Sequence, residues 1–372
     1  MARAPSPTVL AVALALGASL SAGVSWGRFG SADLPPPPVA PPVPAPAAPP
    51  APPTGPQPAP PTAPTPPTSS ALSLGVFRLA PSPVVDADTL KLDEPRESVR
   101  VMGVDAEEVF HKADEREAAA RDFAAYAKAK RGDAPRPRKY GTPAGEAAKA
   151  FTVAWFAGVT EVRLELDEPG RDRDGFGRRL AHVFAVKDGR EQLFAEVLLR
   201  AGWAPYFVKY GRSPRYDARF RAAQAAARAE KLGIWGDAVA HYPDYDERLA
   251  WWEGRALQVD AWDADVKGPT PPPNPIRLGV PAETARLATL LGQRVTLFAS
   301  LDRLVTDREP RRLLFVDAPN RPFTVVVPDP TVWAALDLPA IEARFARVSG
   351  IVSEYRGRLQ VVLSKAEDLS TR

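Results

Sequence analysis

Asp86-Ala87-Asp88-Thr89-Leu90-Lys91-Leu92 and, a few residues on, Ser98-Val99-Arg100-Val101-Met102-Gly103-Val104-Asp105-Ala106-Glu107-Glu108 decide how this chain is read. Leu90-Lys91-Leu92 and the run from Ser98 to Val104 read as short strands, with a further strand piece at Val84-Val85. Charges gather around the ends of these strands: Asp88, Arg100, Asp105 and Glu108. A fifth, Arg178, follows the turn Asp174-Gly175-Phe176-Gly177. Three carboxylates can hold a hard cation and activate water. Two guanidiniums can grip a phosphate and meet the charge that builds as it is attacked. Arg100 and Asp105 are five apart, so a regular strand aims them at opposite faces. They share a pocket only if the strand bends or ends between them, and Gly103 predicts a distortion over residues 102–104.

Further along, Val162-Arg163-Leu164-Glu165-Leu166 alternates with period two, and Arg179 to Val186 predicts another strand. Leu193, Phe194, Val197 and Leu198 fall at helical spacing. Pro214 to Lys231 is a second, Ala-rich helix with a stop at Gly233. Lys112 to Lys130 is helix-prone and highly charged. It reads as an exposed insertion with a solvated face, followed by the basic loop Arg136-Pro137-Arg138-Lys139-Tyr140-Gly141. After Trp251-Trp252 come strand-like runs at 294–299, 313–317, 323–327, 347–354 and 359–363. A helix-prone stretch, 331–345, lies between the third and fourth, which is the element order of an OB barrel.

Composition narrows the chemistry. The 372 residues leave room for two domains and tails. The absence of cysteine excludes disulfides and thiolate metal sites. Three histidines argue against a His-rich zinc site, so carboxylates are the available ligands and calcium or magnesium the fitting ions. A net charge of +3 permits a polyanion partner without requiring one. His182 stands mid-strand without a sequence partner, and no Ser-His-Asp set is needed for phosphodiester hydrolysis.

The quoted segments, the Asp174–Arg178 turn and the tail Lys231-Leu232-Gly233-Ile234-Trp235 resemble the staphylococcal nuclease (thermonuclease) family in order and approximate spacing, over about residues 78–240. The resemblance implies a five-stranded OB barrel with packed helices that cuts DNA and RNA with Ca2+. It implies Asp88 and Asp105 as metal carboxylates, Arg100 and Arg178 as the phosphate-binding pair, and Glu108 as general base. Two departures stand out: Ala106 replaces the usual small polar residue, and Glu107 replaces the usual proline, setting an extra carboxylate beside the base. The tyrosines that stack on a base in some relatives match Phe207 or Tyr210.

The expected fold is mainly β with packed helices, an α+β chain of two OB-type barrels. Arg3 and the uncharged run from Ala4 to Gly27 read as a signal peptide or signal anchor over 1–30. Nineteen of the 33 residues from Pro35 to Pro67 are proline, so 31–73 reads as an extended linker. The nuclease-like domain is placed at 74–245, a connector at 246–280 and the second OB-like domain at 281–372. The candidate nucleic-acid contacts are Tyr210 in the nuclease-like domain and Tyr355, Arg356 and Arg358 in the second barrel, with Arg344 and Arg347 beside them. The expected function is a Ca2+-dependent endonuclease, exported or tethered to the cell envelope, with DNA or RNA as partner, a possible membrane tether and no protein partner. The alternative is a non-catalytic nucleic-acid-binding protein on the same two scaffolds. An envelope protein exploiting the proline spacer is the third reading.

Overall fold

The computed structural model describes residues 72–371 apart from 175, 308, 319 and 320. The segment expected as a signal and nearly all of the expected linker lie outside the described residues.

The first barrel uses β1 (Ser73–Asp86), β2 (Thr89–Leu92), β3 (Ser98–Val101), β4 (Glu161–Glu165) and β5 (Arg179–Lys187). Going round, the order is β1-β2-β3-β5-β4 and back to β1, with β3 and β5 parallel. Three helices fill the connection from β3 to β4: α1 (Ala113–Arg121), α2 (Phe123–Arg131) and α3 (Pro143–Phe156). β6 (Arg190–Leu193) extends β5 as a hairpin and leads into α4 (Phe194–Arg200) and α5 (Asp217–Ala229). The inward residues of the strands and helices close one core around Leu90, Val99, Leu164, Val183, Phe194 and Phe220, all fully buried.

A long helix, α6 (Tyr245–Lys267), then β7 (Pro275–Arg277) and α7 (Pro281–Arg286), lead to the second barrel. It comprises β8 (Arg294–Val305), β9 (Arg311–Ala318), β10 (Arg321–Val327), β11 (Phe345–Tyr355) and β12 (Arg358–Val362), with α8 (Pro330–Ala334) and α9 (Leu338–Ala343) between β10 and β11. Its order is β8-β9-β10-β12-β11 and back to β8, with β10 and β12 parallel. The two closed five-strand barrels therefore share one topology, and in each the helices interrupt the chain between the third and fourth strands.

Two parts add to the sequence reading. Within the expected connector, 246–280, lies most of a helix of 23 residues, Tyr245–Lys267, about 35 Å long. Trp252 and Ala256 join the first core, while Val259 and Trp262 meet Phe298 and Phe345 of the second barrel. One apolar stripe thus changes partner halfway along, and the charges around it hid it. The stretch from Lys112 to Lys130 is not merely a solvated face. Ala119, Tyr126 and Ala127 pack with Tyr140, Ile234, Tyr242 and Tyr245 in a small core of their own.

Candidate active site

The site is made at the corner where β3 stops. The strand ends at Val101, Gly103 has φ +84°, and Val104 bridges to Tyr206 instead of continuing the ladder. A Cβ on Gly103 would fall 2.5 Å from the Phe220 ring, so this corner needs glycine for both its dihedral and its space. The distortion expected between Arg100 and Asp105 is therefore present, and it turns Asp105 back onto Arg100. Arg100 Nη2 donates to Asp105 Oδ1 at 2.7 Å and lies 3.1 Å from Asp88 Oδ2. Its Nη1 donates to the Val101 carbonyl at 2.9 Å.

Asp88 sits in the tight turn between β1 and β2. Its Oδ1 accepts from Thr89 Oγ1 at 3.0 Å and its Oδ2 from the Ala106 N–H at 2.9 Å, tying the two acidic segments together. Ala106 thus contributes through its backbone, and its missing side-chain oxygen costs no contact here. Arg100, Asp88 and Asp105 are all buried. Burial by itself disfavours the Arg100 charge, but Asp88, Asp105 and Glu108 outweigh it and raise its pKa. For Asp105, burial is likewise opposed, by Lys139 and Arg100, and its carboxyl is held below the usual range.

Glu108 follows, half-buried, in a segment pressed against the start of α3. Thr142 caps that helix, accepting from the Gly145 N–H at 2.9 Å, and Pro143 occupies its first turn. A Cβ on Gly145 would lie 2.0 Å from the Glu108 carbonyl oxygen, so this glycine allows the helix to approach so closely. The Glu108 carbonyl in turn accepts from the Thr142 N–H at 3.0 Å.

Lys139 is the residue that sequence reasoning did not place here. It was assigned to a basic loop, and nothing in that loop marks it out from Arg136 or Arg138. Its Nζ donates to Asp105 Oδ1 at 2.8 Å and to Glu108 Oε1 at 3.0 Å. Burial disfavours its charge, but Asp105, Asp88 and Glu108 together raise its pKa. Glu107, expected to stand beside the base, points the other way. It accepts from the Tyr242 N–H at 2.8 Å, from Tyr245 Oη at 2.7 Å and from the Thr142 hydroxyl, and it is buried in the small helical core.

Arg178 lies at the border of this cluster. Its Nε donates to Asp174 Oδ2 at 2.7 Å, and Asp174 Oδ1 also accepts the Arg178 N–H at 2.9 Å, closing the turn. Its Nη1 reaches Thr89 Oγ1 at 3.4 Å, and Thr89 is itself bonded to Asp88. The structure thus brings Asp88, Arg100, Asp105, Glu108 and Lys139 into one network and joins Arg178 to it through Thr89.

Residues 98–237 match the family model described as Staphylococcal nuclease homologue. The chain carries a staphylococcal-nuclease-like domain. The matched segment starts at β3, and the structure supplies β1 and β2, with Asp88 between them, to complete the barrel. The remaining candidates fall outside the network of this nuclease-like domain. Phe207 packs edge-on against Trp252 with ring centroids 4.8 Å apart, while Tyr210 is 38% exposed. Tyr355, Arg356 and Arg358 share the β11–β12 hairpin tip, where Arg356 lies 5.2 Å from the Tyr355 ring. Among the described residues no hydrogen bond, ion pair or ring contact links that tip to the carboxylates. Arg347 is engaged elsewhere, pairing with Asp265 at 2.6 Å and facing the Trp262 ring. His182 is fully buried, with Nε2 3.0 Å from Asp167 Oδ1 and its ring against Tyr216, a surrounding that the sequence did not show.

Proposed function

We propose that this chain hydrolyses phosphodiester bonds of DNA or RNA, with Arg100, Arg178 and Glu108 at the scissile phosphate and Ca2+ held by Asp88 and Asp105. The observation that carries the reading is the convergence of Arg100, Asp88 and Asp105 at the Gly103 corner inside a nuclease-like barrel. Such a cluster of buried charge is costly to assemble for stability alone.

The donor set suits a hard divalent ion, since carboxylate oxygens are the ligands such ions prefer. Among the described residues no group of three or more acidic or His side chains is grouped as a ready-made metal site. Instead the Lys139 ammonium stands between Asp105 and Glu108 as a positive charge in place of an ion. When bound, the ion would polarise a phosphate oxygen. Arg100, locked by two carboxylates and a carbonyl, keeps its charge fixed beside the phosphate. Arg178 Nη2 has no protein partner among the described residues, so that edge of its fork is available to phosphate oxygens. Glu108 Oε2 is likewise without a protein partner and takes or orients the proton of the attacking water.

Degradation of single-stranded DNA, duplex DNA and RNA would be followed with Ca2+, with Mg2+ and with chelator. Metal-dependent cutting is expected, with Arg178→Ala about 10²–10³-fold slower. Cutting that Arg178→Ala leaves intact removes this residue from the site. Binding without cutting under every condition makes the non-catalytic scaffold the better reading, and the Lys139 ammonium among the carboxylates is the observation in its favour. Ion and ammonium compete for the same oxygens, so Lys139→Met is expected to tighten Ca2+ binding by roughly tenfold in titration calorimetry. Equal or weaker affinity in that variant contradicts the competition. Export, resting on residues 4–27, is part of the same proposal, and recovery of tagged protein in the cytosolic soluble fraction would refute it.

A further inference from the structure

We propose that the seam between the two barrels is a second phosphate-binding site, which takes a single-stranded nucleic acid running on from the carboxylate cluster. Two aromatic rings organise it. Lys209 Nζ lies 4.6 Å from the centroid of the Trp251 ring and 5.4 Å from that of Tyr210. The guanidinium carbons of Arg255 and Arg171 lie 5.8 and 5.9 Å from the Tyr210 ring, and that of Arg136 lies 5.4 Å from Trp251. The Tyr210 ring, which gathers three of these cations, is open to solvent.

The charges do not balance within the protein. Arg171 has Glu168 at 3.2 Å. Among the described residues, Arg136, Lys209 and Arg255 have no carboxylate within 4.0 Å. Arg255 is 2% exposed; its Nε donates to the Lys209 carbonyl at 3.2 Å and its Nη2 to Ser300 Oγ of the second barrel at 2.9 Å. Its guanidinium stacks 3.9 Å from the Phe345 ring centroid, and Nη1 has no hydrogen-bond partner among the described residues. Burial, joined by the nearby Arg136 charge, pushes Arg255 down to about 10. A buried charge without a counter-ion costs several kcal/mol, whereas each ring contact returns roughly 0.5–2. Backbone phosphates meeting Arg136 and Lys209 would supply the missing negative charge, with Arg255 held behind them. The loop that carries Lys209 and Tyr210 is joined to the corner of the carboxylate cluster, since Val104 bridges Tyr206 and the Phe207 N–H donates to the Gly103 carbonyl at 3.1 Å.

This site deepens the nuclease reading and rests on it for the kind of strand bound. The test uses the full chain in chelator, so that nothing is cut, and follows the anisotropy of a fluorescent single strand of ~20 nucleotides across a salt series. Replacing Lys209 and Arg136 together by methionine is expected to weaken binding by about tenfold and to flatten the salt slope by about 1.4, at ~0.7 per lost phosphate contact. Lys209→Met alone, at a half-buried residue with no carboxylate partner, should flatten it by about 0.7. Arg200→Met removes a cation that pairs with Glu230 at 2.6 Å and belongs to neither the seam nor the carboxylate cluster, and should leave affinity and slope unchanged. An unchanged slope in a folded double variant overturns the proposal. So does an equal loss in Arg200→Met, or displacement of the strand by polyglutamate as readily as by unlabelled DNA. Cutting is read separately: the expected slopes without cutting under any metal would remove the nuclease reading and leave the seam site standing.

Discussion

Glu108→Gln is expected to slow strand cleavage by roughly 10²–10⁴-fold while leaving strand affinity within about twofold. The substitution keeps the size of the side chain and an oxygen that can accept from Lys139 Nζ, so the loop carrying that lysine stays in place. What it removes is the ability to take a proton. The neighbouring carboxylates offer no replacement. Asp88 is bound by Thr89 Oγ1, the Ala106 N–H and Arg100, while Asp105 Oδ1 is shared between Arg100 and Lys139. Burial raises the Asp105 pKa, but Lys139 and Arg100 outweigh it and hold the carboxyl below its usual range, which makes it a poor proton acceptor. Glu108, half-buried and bound on one oxygen, is the carboxylate left for the task. Single-turnover cleavage and chelator-arrested binding separate the two effects. A Glu108→Gln rate within about threefold of wild type would take the proton-transfer role away from this residue.

The sequence made the barrel and the charged cluster legible for a physical reason. Strand period, turn glycines and the order of charges are local signals, and the corner at Gly103 followed from the parity of Arg100 and Asp105 alone. The second barrel was readable in the same way, from five short alternating runs with a helix after the third. What was not legible depends on contacts distant in sequence. Lys139 reaches Asp105 across 34 residues, and Glu107 is bound by residues 135 and 138 positions away. No period or spacing encodes such a pairing. The helix α6 was read as a connector because its apolar stripe is divided between two cores. The cations around Tyr210 and Trp251 were hidden for a similar reason, since they come from four separate segments that the fold alone collects.

Glu107→Ala is expected to cost about 3–5 kcal/mol of stability, a far larger effect than the loss of a surface carboxylate. Three donors converge on this side chain: the Tyr242 N–H, the Tyr245 hydroxyl and the Thr142 hydroxyl. Each would be left buried without an acceptor, at about 1–3 kcal/mol apiece before relaxation. Burial pushes the Glu107 pKa up, and these three donors oppose it. The damage should spread to the site, because the same tyrosines position its loop. Tyr242 Oη donates to the Tyr140 carbonyl at 2.8 Å and accepts from the Tyr140 N–H at 3.1 Å, next to Lys139. Thr142, which Glu107 holds, is also the cap of the helix packed on Glu108. Glu107→Gln keeps an acceptor for two of the donors and is expected to cost only about 1–2 kcal/mol. Urea unfolding followed by tryptophan fluorescence measures both variants. An alanine variant within about 1 kcal/mol of wild type would mean that water or a shift of residues 240–245 satisfies the three donors. Glu107 would then be a neighbour of the site and no longer the anchor of its loop.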